Sequence, residues 1–144
     1  MKIKSLVLVI IQVAGIVILC VTARPVCTKI PLIALQTASF VLIVWTMWHL
    51  RPGKFHILPD ALKSTELITG GPFRWIRHPM YLSLFLYLVP LVIEYYNWWR
   101  LLVLLIFLVN MIIKLLYEEK FLQQKFPEYV SYMKRSKRLI PFIF

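Results

Sequence analysis

Residues 77 to 81 read Arg-His-Pro-Met-Tyr, and a later apolar run closes on Tyr117-Glu118-Glu119. Pro79 suits the first position of a helix, where its missing N–H costs nothing, so His78 becomes the cap residue. Free amides and the positive end of the helix dipole favour an anion at such a start, and Arg77 adds a forked donor matched to a carboxylate. Tyr81 follows three positions after His78, on the same face. Alone, the motif equally fits a membrane-entry segment, with Arg77 reaching headgroups and Tyr81 in the interface. The acidic pair shifts the balance. Glu118 has Lys114 four positions before it, which an ordinary surface ion pair explains. Glu119 has Leu115, Leu116, Leu122 and Gln123 at helical spacing, so its carboxylate lies on a largely apolar stripe with no cation from its own helix. At membrane depth such a group is costly enough to suggest a functional partner; a helix end already in water would explain it equally well.

The elements that must position these residues are membrane helices. Of 144 residues 60% are apolar and 16% charged. Continuous Leu-rich stretches run at about 5–22, 32–50, 79–96 and 98–117, close to the ~20 residues a spanning helix needs and unlike the alternating strands of a barrel. The expectation is an all-α polytopic protein, residues 1–144 forming one integral membrane domain of four transmembrane helices with a cytoplasmic interfacial segment and a C-terminal helix. Fourteen Lys and Arg fall on the side of both termini and three on the other, which predicts cytoplasmic termini. The formal charge of +11 thus reads as attraction to anionic membrane lipids, not to nucleic acid. Residues 1–23 resemble a signal peptide in layout, but the apolar run is too long for one and predicts a retained span.

The short turn at Asn97 makes spans three and four antiparallel neighbours, so the two charged clusters meet at their cytoplasmic ends. Residues 51–78 form a long connection, with a surface helix expected from Asp60 to Ile68 and Gly70-Gly71-Pro72 as its stop. Phe73, Trp75 and Ile76 suit the interface, and Tyr95, Tyr96, Trp98 and Trp99 form an aromatic belt at the far side. Gln12, Gln36, Thr37 and Ser39 read as hydrogen-bonding scaffold, with Gly15 permitting close helix contact. Pro90 is expected to kink span three. Cys20, Cys27 and the histidines at 49, 56 and 78 are too dispersed for a metal site, and no metal is expected.

A helix start, an arginine, an imidazole, a phenol and two carboxylates together suit a zwitterion that also carries a positive centre. S-adenosylmethionine has those features. The order Thr69-Gly70-Gly71-Pro72-Phe73-Arg74-Trp75-Ile76-Arg77-His78-Pro79-Met80-Tyr81, then a span, Glu118-Glu119, Phe126, Tyr129, Tyr132 and Leu139-Ile140-Pro141 resembles the isoprenylcysteine carboxyl methyltransferases and their phospholipid-methyltransferase-like relatives. The resemblance covers about residues 65 to 142. It implies an integral membrane enzyme that transfers a methyl group from S-adenosylmethionine, with His78, Pro79, Tyr81, Glu118 and Glu119 in the cofactor pocket. Ser83 stands where many relatives place glycine, and Phe126-Pro127 where Phe-Gly is usual.

The acceptor is expected to be lipophilic, entering sideways between spans two, three and four, and most simply the carboxylate of an isoprenylcysteine-like group. That acceptor needs charge neutralisation, from Arg77 or Arg74. A small thiol or a phospholipid amine needs deprotonation instead, by His78 or Glu119. Asn110, in span four, is expected either to line the acceptor tunnel or to form an interhelical hydrogen bond. Tyr129, Tyr132 and the basic run from Lys134 to Arg138 are expected either to cover the site as a lid or interfacial helix or to form a plain lipid-binding tail. Two rivals are an NADPH-dependent membrane reductase of the sterol-reductase type and a non-catalytic adaptor with a lipid-binding basic face.

Overall fold

The structure is a computed structural model that describes residues 2–50 and 67–140. Among them the helices are α1 (Lys2–Thr22), α2 (Ile30–Leu50), α3 (Pro79–Glu94), α4 (Trp98–Lys125) and α5 (Tyr129–Arg135), with a 3-10 turn at Gly71–Arg74 leading into α3. The chain is an all-α membrane protein. Most of the surface helix expected from Asp60 lies outside the described residues, and Leu67 to Thr69 carry no regular structure.

The solvent that shapes the bundle is legible in which residues face out. Ile3, Ile10, Phe40, Val41, Trp48, Ile106, Val109 and Ile113 are exposed, whereas Ser5, Gln12, Gln36, Ser39, Thr46, Asn110 and Lys114 are buried. Water would select the reverse arrangement; hydrocarbon leaves apolar side chains indifferent and drives polar ones to partners inside. α1, α2 and α4 are long and apolar enough to cross a membrane. α3 has 16 residues, short of the ~20 of a perpendicular span. It stops at Glu94 instead of the expected Tyr96. The Glu94 carboxylate there accepts from the Thr28 amide (2.8 Å) and hydroxyl (2.5 Å) and from the Lys29 amide (3.3 Å), tying the end of α3 to the start of α2. α4 runs on past the expected Tyr117 to Lys125, because Leu115, Glu119 and Leu122 keep an inward-facing stripe along the extra turns.

α1 packs chiefly on α4, and α2 on α3. The α1 contact face is Ser5, Gln12, Gly15 and Leu19, all buried and spaced by three, four or seven. At Gly15 the helices approach so closely that an added Cβ would sit 3.3 Å from the Phe107 ring. Asn110 donates to the Leu8 carbonyl (3.0 Å) and Lys114 to Gln12 Oε1 (2.8 Å) across the same seam. Between α2 and α3, the Ser39 hydroxyl donates to the Ser83 carbonyl (2.7 Å). The Ser83 hydroxyl turns back onto the Met80 carbonyl (2.7 Å). Gln36 bonds the Pro25 carbonyl and the Cys27 amide, closing the α1–α2 connection. At that end Trp98 and Tyr96 are exposed as a belt, while the Tyr87 and Tyr95 hydroxyls donate to the Pro25 and Val26 carbonyls. Pro90 lies buried inside α3.

The two adjacent glycines differ. Gly71 has φ +59°, and a Cβ there would overlap the His49 imidazole at the end of α2, whereas nothing lies within 4 Å of a Cβ on Gly70. A turn with positive φ against a packed ring requires glycine only at the second position. Gly71→Ala is therefore expected to lower stability by roughly 1–3 kcal/mol, and Gly70→Ala to change it little, read as melting shifts of the detergent-purified proteins.

Candidate functional site

The two charged clusters converge at the end of the bundle where α3 begins and α4 ends. Trp75 to His78 run beside the segment that follows α5, with a parallel bridge between Ile76 and Lys137. The Lys137 amide donates to the Trp75 carbonyl (2.9 Å), the Arg77 amide to the Lys137 carbonyl (2.7 Å), and the His78 amide to the Arg138 carbonyl (3.1 Å). The Tyr132 hydroxyl adds a bond to the Phe73 carbonyl (2.6 Å). This return of the chain was not visible in the sequence. It also changes the expected anion site: His78 does cap α3 and Pro79 does open it, but both are buried and the His78 amide is already taken. The imidazole makes no capping bond, which leaves its nitrogens to face the carboxylates.

Glu119 is the hub. Arg77 Nε donates to its Oε1 at 2.7 Å and Arg138 Nε to its Oε2 at 3.0 Å. Arg77 Nη1 donates to the Met133 carbonyl (3.2 Å) and the Ser136 carbonyl. A carboxylate 3% exposed is tolerable only because two guanidiniums answer its charge; losing either partner of such a pair costs about 3–5 kcal/mol.

Glu118 is in a different state, with its side chain 19% exposed. Its Oε1 accepts from the Tyr81 hydroxyl at 2.5 Å and lies 4.0 Å from Lys114 Nζ. Its Oε2 is 3.8 Å from His78 Nδ1. His78 sits between the two acids, its Nε2 3.5 Å from Glu119 Oε1 yet without a well-aligned hydrogen bond. The His78 and Tyr81 rings lie 5.4 Å apart. Tyr129, in α5, is 1% exposed, and its hydroxyl is a second buried polar atom without a partner among the described residues. Burial, and then the Glu119 charge, push the Tyr129 phenol up, and burial pushes Tyr132 up to about 12, so both stay donors at neutral pH.

Arg77, His78, Pro79, Tyr81, Glu118 and Glu119 thus meet in one cluster. Arg74 and Asn110 do not join it: Arg74 is exposed on the 3-10 turn, and Asn110 is buried at the α1 contact, donating to Leu8. The sequence reading gave three participants, Arg138, Lys114 and Gln12, other roles. Arg138 returns from beyond α5, a tertiary contact no local spacing announces. Lys114 is no surface partner but is 5% exposed, and Gln12 of α1 holds it. An ionisable residue one turn after Asn110 within an apolar run was the available signal. Among the described residues no group of three or more His, Cys, Asp or Glu could hold a metal ion.

No curated protein and no solved structure matches the chain. The sequence model of the phospholipid methyltransferase family matches residues 27–129. That stretch takes in α2, α3, α4 and every cluster residue from Arg77 to Glu119, and so the chain belongs to the phospholipid methyltransferase family.

Proposed function

We propose that this protein methylates a lipophilic acceptor at the membrane face, using S-adenosylmethionine bound over the His78–Glu118 end of the cluster. The family is one of methyltransferases, and the observation that carries the reading is the asymmetry of the acidic pair. Glu119 is locked by two arginines, whereas Glu118 is partly open and keeps Oε2 clear of all but a distant imidazole nitrogen. A carboxylate so placed suits ribose hydroxyls or an ammonium. The unpartnered His78 Nε2 and Tyr129 hydroxyl are buried polar atoms that a polar ligand would satisfy. His78, Tyr81 and Glu118 would hold the cofactor, with Glu119 fixing Arg77 and the turn into α3.

When bound, S-adenosylmethionine supplies an electrophilic methyl carbon with a thioether as leaving group. The protein's part is positioning and exclusion of water. Arg77 already commits Nε to Glu119 and Nη1 to two carbonyls, which counts against its neutralising an acceptor carboxylate. A phospholipid amine is the acceptor class that accords with the family and with an imidazole nitrogen able to take the proton released as the nitrogen–carbon bond forms. The exposed Arg74 supports a second reading, an isoprenylcysteine-like carboxylate held at the rim. The lysine and arginine asymmetry supports both termini and the site facing the cytoplasm, with residues 1–144 acting as one membrane domain.

Calorimetry should show S-adenosylhomocysteine binding to detergent-purified protein; NADPH binding in its place would return the reductase reading, and neither would leave an adaptor. Glu118→Gln should weaken that binding roughly ten- to hundredfold with little change in melting, while Glu119→Gln should lower the melting temperature markedly. Equal melting losses in both variants would remove the asymmetry. With radiolabelled methyl donor, label should enter phosphatidylethanolamine and be lost in His78→Ala; label entering only a prenylcysteine would favour the carboxylate reading.

A further inference from the structure

We propose that Lys114, steered by Gln12 of α1, is a positioning residue that aims Glu118 at the ligand, so that the first helix is a working part of the site. The inference rests on the methyl-donor reading above. Lys114 lies inside α4, 5% exposed, flanked on its own helix by Asn110, Met111 and Leu115, all buried. An ammonium in such surroundings must be partnered. The described partners are Gln12 Oε1 at 2.8 Å, Glu118 Oε1 at 4.0 Å and the Tyr81 ring at 5.5 Å.

The atoms addressed are what give this arrangement a use. Lys114 and the Tyr81 hydroxyl approach the same oxygen of Glu118, Oε1, from α4 and from α3. Oε2 is thereby turned toward His78 and the part of the cluster with unpartnered polar atoms. Gln12 is neutral, so it holds the ammonium without competing for its charge; a carboxylate in its place would draw Lys114 from Glu118. Gln12 lies before residue 27, where the family match begins, so the match covers Lys114 and Glu118 but not the residue that holds Lys114. Nor is it just helix adhesion, which Gly15 against Phe107 and Asn110 on Leu8 already provide along the same seam.

The test is S-adenosylhomocysteine affinity by calorimetry, with melting measured in parallel. Lys114→Met should lower affinity roughly tenfold or more, Lys114→Arg should recover most of that loss, and Gln12→Glu should weaken binding in the same direction as Lys114→Met. Gly15→Ala, which crowds the α1–α4 contact without touching the latch, should lower melting and leave affinity as in the wild type. Wild-type affinity in Lys114→Met overturns the proposal, as does an equal affinity loss in Gly15→Ala, since loosened packing would then explain both. If Lys114→Met does not fold, wild-type affinity in Gln12→Glu overturns it by itself. Failure of the wild-type protein to bind overturns the methyl-donor reading and this one with it, and so is distinguishable from failure of the latch alone.

Discussion

A carboxylate at the end of a membrane helix persists only if its charge is answered, and Glu119 is answered twice, by Arg77 and by Arg138. Those two arginines come from the segment entering α3 and from the segment leaving α5. One buried side chain on α4 therefore gathers three separate stretches of chain. The Arg77 fork then reaches the Met133 and Ser136 carbonyls, so the turn after α5 is held by the same charge system. Tyr129 and Tyr132 pack beside it as a small aromatic core with Phe126. Remove the Glu119 charge and this end of the molecule loses the reason for its shape.

The rest of the bundle follows from the same rule applied to weaker groups. Hydrocarbon offers no hydrogen bonds, so Gln12, Gln36, Ser39 and Asn110 in the apolar spans are drawn inward to partners. The seams they mark are the ones the helices use: Ser39 on Ser83, Asn110 on Leu8, Lys114 on Gln12. The opposite end of α3 is handled likewise, with Glu94 taken up by the backbone ahead of α2. Polar side chains here do the locating that apolar ones do in a water-soluble core.

Much of this was legible in the sequence, because lipid imposes length and composition directly. The apolar runs became helices, Pro79 opened α3 with His78 as its cap, and Glu119 on an apolar stripe did have a partner elsewhere. Less legible was anything set by contacts between distant segments. Spacing marked Lys114 as a neighbour of Glu118 but could not reveal that α1 covers it. Nothing local showed that Arg77 Nη1 would meet carbonyls from the region after α5. The exposed helix start expected at His78 is covered for the same reason. Asn110, open to two readings, sits at a helix seam because α1 brings the Leu8 carbonyl to it.

The backbone pairing of Trp75–His78 with Lys137–Arg138 bears on how the molecule is made. Arg77 meets Glu119 across 42 residues and Ser136 across 59, with α3 and α4 lying between. Contacts of such long range carry a large loop-closure entropy and form late. The helices can enter the bilayer one after another, but the cluster cannot assemble until α4 and α5 have both arrived. Helix insertion and closure of the cluster are thus separable steps, and the helices can be in place before Arg138 has reached Glu119.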